Sequence, residues 1–139
     1  MIIMSVDVGL ARTGIAVCDK GEVLASPVCV IEEYNETRRL EKVAKKAAEL
    51  CAEIIVVGLP KNMNGSEGEK AILCRDFAEK LREMVSCEVD MCDERATTML
   101  AHTYLNMNDV KGKKRKQTVD AVAATIILED YLQLRKNKR

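Results

Sequence analysis

At 139 residues, 47% hydrophobic and 32% charged, the chain is long enough to bury one substantial core and too short for two full domains, so residues 1–139 are expected to form a single domain. Its 22 basic and 22 acidic side chains cancel, which excludes a global field drawing it to nucleic acid or to an anionic membrane; any such attraction has to be local. The basic residues do concentrate in the last quarter, in "KGKKRK" (111–116) and in a tail, "RKNKR" (135–139).

Six cysteines at positions 18, 29, 51, 74, 87 and 92 show no C-x-x-C spacing, and His102 is the lone histidine, which argues against the usual zinc-finger ligand sets. No apolar run approaches the roughly 20 residues of a membrane span, and the first residues read as a strand and not as a leader. The expectation is a reduced, cytoplasmic protein with no membrane partner, its cysteines serving as small core residues.

In chain order, "MIIMSVDV" (1–8), "TGIAVCD" (13–19) and "VLASPVCVI" (23–31) are β-rich runs separated by hairpin-length breaks, which predicts an antiparallel meander. Pro27 assigns the third strand to an edge or a bulge. From Asn35 to Glu53 the period becomes helical: Leu40, Val43, Ala44, Ala47, Ala48 and Cys51 form one stripe, with Arg39, Lys42, Lys46 and Glu49 mostly off it. "EIIVVGLP" (53–60) has the continuous apolar character of a strand buried on both faces. A second helix, 67–85, follows a Ser66-x-x-Glu69 capping box. "CEVDMCD" (87–93) is the fifth strand, a third helix starts near Glu94 or Arg95, and a polar loop from Asn106 to Lys116 precedes a last helix from Gln117 to about Leu134. The order βββαβαβα predicts an α/β fold with a mixed five-stranded sheet, a three-stranded antiparallel meander plus two parallel strands, and helices on its faces. In such sheets ligands gather at the carboxyl ends of the parallel strands.

Three groups of acids converge on that edge. Asp7 stands between apolar Val6 and Val8; it is either a carboxylate satisfied by backbone amides of the turn or a metal ligand, since a buried carboxylate is costly unless paired or coordinating a cation. In "CDERATT" (92–98), Asp93 or Glu94 is either a second ligand or a first-turn acid favoured by the helix dipole, with Arg95 as its partner. Asp120 shares a helical face with Ala123, Ala124 and Ile127, which turns it toward the sheet, yet with Thr118 as N-cap it would be an ordinary first-turn acid. The flank Lys113, Lys114, Arg115 and Lys116 suits a metal and phosphate site, or else is a solvated turn. Three carboxylates meeting at one edge repel one another without a cation, and hard oxygen donors select Mg²⁺ or Mn²⁺ over zinc. Two such ions about 3.5–4 Å apart activate water and stabilise the leaving oxygen of a phosphodiester.

The blocks "DVGLARTGIAV", "VVGLPKNMNGSEG", "DERATT" and "KKRKQTVDAVAATIIL" occur in order, cover almost the whole chain, and resemble the YqgF family, also called the Holliday junction resolvase-like or pre-16S rRNA nuclease family. The resemblance implies a ribonuclease H-like fold. It also implies that Asp7, Glu94 and Asp120 are the catalytic, metal-holding acids, which chooses Glu94 over Asp93. Arg12 and Gly14 match the first motif, and Gly58, Pro60, Asn64 and Gly65 the second; Val8 stands where many relatives have proline, a departure expected to affect turn rigidity and not chemistry. Arg12 is suited to hold a phosphate bidentately, with a surface salt bridge as the competing reading. Gly9 permits close approach of substrate or of a neighbouring strand. Backbone amides around Asn64 to Glu67, at a helix N-terminus, would welcome an anion, unless the segment is only a capped turn.

The function so implied is a metal-dependent endonuclease acting on structured RNA, at the 5′ end of a 16S rRNA precursor and in contact with the pre-ribosomal particle. Its rival within the class is a Holliday junction-resolving nuclease on branched DNA, which needs a two-fold dimer whose face no sequence feature marks. A non-catalytic RNA-binding maturation factor would use the same basic loop and tail. With aromatics at 3%, base stacking is a minor resource and recognition is expected to rest on backbone and shape. A sugar-kinase or actin-like ATPase, which also opens on an Asp-x-Gly hairpin, is disfavoured by the single-domain length and by the lack of a phosphate-binding G-x-x-x-x-G-K motif. His102 is read as structural or exposed.

Overall fold

The computed structural model describes residues 1–9, 11–60, 68–93 and 112–137, with side chains from residue 122 onward in the last stretch. Strands β1 (Ile3–Val8), β2 (Arg12–Cys18) and β3 (Ala25–Glu32) lead into helix α1 (Glu36–Glu49), strand β4 (Ile54–Leu59), helix α2 (Glu69–Met84), strand β5 (Glu88–Asp93) and helix α3 (Gly112–Asn137). The sheet order is β3-β2-β1-β4-β5. β1 pairs antiparallel with β2 and β2 with β3, whereas β1–β4 and β4–β5 are parallel. The meander and the two parallel additions are those expected.

Period-two alternation divides the buried side chains between the two faces of the sheet. Met4, Val6, Val8, Ile15, Ile55, Val57 and Val89 pack with Leu40, Val43 and Ala47 of α1 and with Cys74, Phe77, Ala78 and Leu81 of α2. Ile3, Ala16, Cys18, Ile54, Val56 and Cys92 pack with Ala124, Ile127, Leu128, Tyr131 and Leu132 of α3. Every residue of β4 is buried, since it lies centrally with helices on both sides, as its unbroken apolar run predicts. Pro27 meets both expectations at once. It lies on edge strand β3, and the β2–β3 register shifts between Ile15 and Ala16, whose partners are Cys29 and Pro27. That leaves Val28 without a facing residue, the form of a bulge.

Several local expectations are corrected. α3 begins at Gly112, so Lys113–Lys116 belong to its first turns and not to a loop, and Asp120 is two turns inside instead of following an N-cap at Thr118. The N-cap of α2 is Gly68, with no side-chain cap bond; Ser66 lies outside the described residues. α1 ends at Glu49, capped at its start by the Asn35 side chain accepting from the Arg38 amide. Cys51 is therefore off the helical stripe, exposed, with φ of 57°. Among the other cysteines, 18, 74 and 92 are buried and 29 and 87 partly so. Arg39, expected on the outer face of α1, is buried. Arg135 is no free tail: it lies in the last turn of α3 and pairs with Glu22 at 2.6 Å. The helix expected from Glu94 or Arg95, His102 and the start of the 106–116 loop lie outside the described residues. Among the described residues, no helix is long and apolar enough to cross a membrane.

Candidate active site

The parallel strands β1, β4 and β5 end together at Val8, Leu59 and Asp93, and Asp7 is the penultimate residue of β1. Ile3 packs against α3, and the Ser5 hydroxyl donates to the Ala124 carbonyl of that helix at 2.6 Å. By alternation Asp7, half-buried, belongs to the same face. Its partner across the antiparallel pair is Gly14. On the other side the register runs Val6↔Val57, so the next step sets Asp7 beside Gly58, which is itself paired with Cys92. The carboxylate thus stands in a row whose two flanking positions carry no side chain, and space above the sheet is left on both sides of it. The two motif glycines, Gly14 and Gly58, have this shared consequence.

β5 shows the same division. Val89 and Met91 pack on the α1–α2 face and Cys92 on the α3 face, so Asp93, which is exposed, has the parity of Val89 and Met91, away from Asp7. Glu94, the next residue, lies outside the described residues, as does Asn64.

Three polar contacts fix how α3 lies over the sheet. Ser5 holds Ala124; the Tyr131 hydroxyl donates to Asp90 of β5 at 2.8 Å; and Arg135 reaches Glu22, whose carboxylate also binds the N-terminal ammonium of Met1 at 3.2 Å. Burial first, and then the Asp90 carboxylate, push the Tyr131 hydroxyl up to about 12. Because the end of α3 meets the start of β1, its first half runs toward the carboxyl edge. From Ser5 to Asp7 the strand advances about 6.6 Å. From Ala124 back to Asp120 the helix advances about 6 Å. The backbone of Asp120 is therefore level with Asp7.

Arg12 opens β2, half-buried, opposite Glu32 of β3. The turn before it is tight: a Cβ on Gly9 would lie 2.4 Å from the Arg12 carbonyl oxygen. Gly9 thus admits the returning strand of its own hairpin. Among the described residues no three His, Cys, Asp or Glu side chains gather to hold a metal; two of the three candidate acids, Glu94 and Asp120, fall outside that side-chain description. Sequence reasoning missed Ser5 and Arg39. Ser5 carried a signal, a polar residue two places before Asp7 in an otherwise apolar strand. So did Arg39, four residues before Val43 and hence on the buried stripe.

The fold is ribonuclease H-like. It is similar to RuvC of T. thermophilus, solved in complex with a Holliday junction substrate (TM-score 0.60, 13% identity, 98% of this chain and 96% of that one), and to the Fowlpox virus resolvase, solved with Holliday junction DNA (TM-score 0.56, 13% identity, 97% of this chain and 99% of that one). Residues 1–134 match the family described as "RuvX: Holliday junction resolvase", and the chain belongs to this family, the RuvX/YqgF family. Its relatives include proteins named "Putative pre-16S rRNA nuclease" from Bacillus cytotoxicus (42% identical over 135 residues, 95% of this chain and 98% of the relative) and from Chloroflexus aggregans (38% over 135 residues, 97% and 95%).

Proposed function

We propose that this protein is a metal-dependent endonuclease that hydrolyses phosphodiester bonds in structured RNA, at the 5′ end of a 16S rRNA precursor; relatives named as pre-16S rRNA nucleases support the precursor as substrate. The observation that carries the reading is Asp7 on the α3 face of the carboxyl edge, between Gly14 and Gly58 and level with the backbone of Asp120. Family membership supports it over residues 1–134.

Asp7, Glu94 and Asp120 would hold the metal. The β5 alternation turns Asp93 away from Asp7, with Val89 and Met91, and the family resemblance selects Glu94. Two strand spacings, about 10 Å, separate β1 from β5, and the strand between them contributes only Gly58 at that level. On this reading Asp7 from one side and Glu94, which follows the last residue of β5, from the other would flank this gap. Their all-oxygen donor set fits Mg²⁺ or Mn²⁺, which when bound supply a water of lowered pKa and Lewis-acid stabilisation of the leaving oxygen.

The chain's own part is positioning. Asp7 lies near the end of a strand paired on both sides, by β2 and by β4, a placement suited to preorganised catalysis. Arg12, at the head of the neighbouring strand, would bind the phosphate flanking the cut in its guanidinium fork. Lys113, Lys114, Arg115 and Lys116 lie in the first turns of α3, where the helix dipole disfavours each positive charge by roughly 0.3–1 kcal/mol. A polyanionic backbone bound there offsets that cost, which fits a nucleic-acid partner. Asn64 would add a contact from the segment before α2.

The test incubates purified protein with a precursor RNA bearing the 16S 5′ flank and, separately, with a four-way DNA junction, in Mg²⁺, Mn²⁺ or EDTA. RNA cleavage that needs the divalent ion and disappears in a folded Asp7→Asn variant is the expected result. Symmetric cutting of the junction alone would reassign the substrate to branched DNA. Tight RNA binding in EDTA, with no product in either metal, would make the protein a non-catalytic maturation factor.

A further inference from the structure

Arg39 lies on the far side of the sheet from Asp7, in the first turn of α1, and is only 9% exposed. Its Nη1 donates to the carbonyl of Gly9. Its guanidinium carbon lies 6.0 Å from the centre of the Phe77 ring. Val8, Leu73, Cys74 and Phe77 line the same cleft, about 530 Å³ in volume, with Glu36 and Glu69. Burying a guanidinium is costly. An aliphatic residue would continue the stripe of Leu40, Val43 and Ala47 without that cost. What an aliphatic residue cannot do is hold the Gly9 carbonyl.

That carbonyl belongs to the turn joining the strand of Asp7 to Arg12. The turn is already constrained on two sides: Gly9 closes against the Arg12 carbonyl, and the Glu33 amide donates to the Ala11 carbonyl at 2.8 Å. Arg39 supplies the third constraint, from beneath. A planar fork packed along Phe77 delivers its N–H in a fixed direction, which a flexible ammonium does not.

We propose that Arg39 is a positioning residue: by anchoring the Gly9 carbonyl it sets the β1–β2 turn and thereby aims Arg12 at a substrate phosphate. The inference rests on the nuclease reading above for what Arg12 binds. It separates the two arginines by role, Arg12 touching substrate and Arg39 acting only through Arg12.

The experiment is a double-variant cycle with Arg39→Ala, Arg12→Met and both together. It measures RNA affinity by fluorescence anisotropy in EDTA, kcat and KM in Mn²⁺, and thermal melting. Arg39→Ala is expected to weaken binding and raise KM by roughly tenfold with little change in kcat, as a small misplacement of a substrate-holding group does. In the Arg12→Met background the same change should add less than about twofold, because there is nothing left to aim. Millimolar guanidinium should restore binding to Arg39→Ala and not to the double variant. Arg39→Lys, which keeps the charge without the fork, carries the same cycle if the alanine variant fails to fold. Additive losses in the double variant, or a loss that tracks melting temperature alone, would overturn the assignment. A wild-type protein that binds RNA and never cuts it would remove the nuclease reading, while the Arg39–Arg12 coupling would still be read in the binding data.

Discussion

Ser5 is the point at which the level of α3 over β1 is set, so enlarging it tests whether that level matters. The residue is fully buried, paired with Ala16 on one side and Val56 on the other, and its hydroxyl meets the Ala124 carbonyl at 2.6 Å. Ser5→Ala removes one buried hydrogen bond and leaves the Ala124 carbonyl within the helix's own ladder. Its cost is therefore about 1 kcal/mol, near 4 °C in melting temperature for a chain of this size, with cleavage close to wild type. Ser5→Leu instead drives a larger side chain into filled space beneath the helix, at about 1–3 kcal/mol. The helix is pushed off the sheet one turn from Asp120. Since an error of about 1 Å in a catalytic constellation costs up to about 100-fold, the leucine variant should lose at least tenfold in RNA cleavage while still melting cooperatively. The assay pairs calorimetry with single-turnover cleavage in Mn²⁺. A folded Ser5→Leu protein that cuts at the wild-type rate would show that α3 does not deliver a ligand to Asp7, and the three-acid site would have to be abandoned.

Metal binding itself should appear in stability: at a concentration about 100 times its dissociation constant Mn²⁺ stabilises the fold by about 2.7 kcal/mol, and Asp7→Asn should remove most of the corresponding rise in melting temperature. Cys51, at φ of 57° after the last turn of α1, occupies a position that favours glycine; Cys51→Gly should stabilise the protein by about 1 kcal/mol, read as a higher denaturation midpoint, and a lower midpoint would refute the strain argument. The Tyr131 hydroxyl is raised from 10.0 to about 12 by burial and by Asp90. A folded-state value above the unfolded one means stability fully present below pH 10 and lost as pH rises through about 12. The alkaline titration of the native protein should contain a late phenolate component that Tyr131→Phe removes.

The elements were legible where local pattern and tertiary environment agree. The wholly apolar run of β4 required burial on both faces, Pro27 required an edge or an interruption of the ladder, and alternation in β1 put one face against each helical layer. The helix ends were less legible. The four cations from Lys113 to Lys116 resemble a solvated turn because a helix N-terminus disfavours them, yet they lie inside α3. Ser66 and Glu69 have capping-box spacing, yet Gly68 is the cap. Arg39 read as a surface residue because charge outweighed its place four residues before Val43.

By itself the sequence determined the order of elements, the mixed sheet and the place of Asp7 near the end of its first strand, since each follows from periodicity and from turn chemistry within a few residues. Only the tertiary structure decided which of those residues keep company. Gly14 and Gly58 flank Asp7 through strand register, Ser5 sets the height of a helix 119 residues later in the chain, and Arg39 crosses beneath the sheet to hold the turn at Gly9. Such pairings depend on which surfaces close-pack after the chain has folded back on itself, and contacts between residues far apart in sequence leave no local pattern from which to read them.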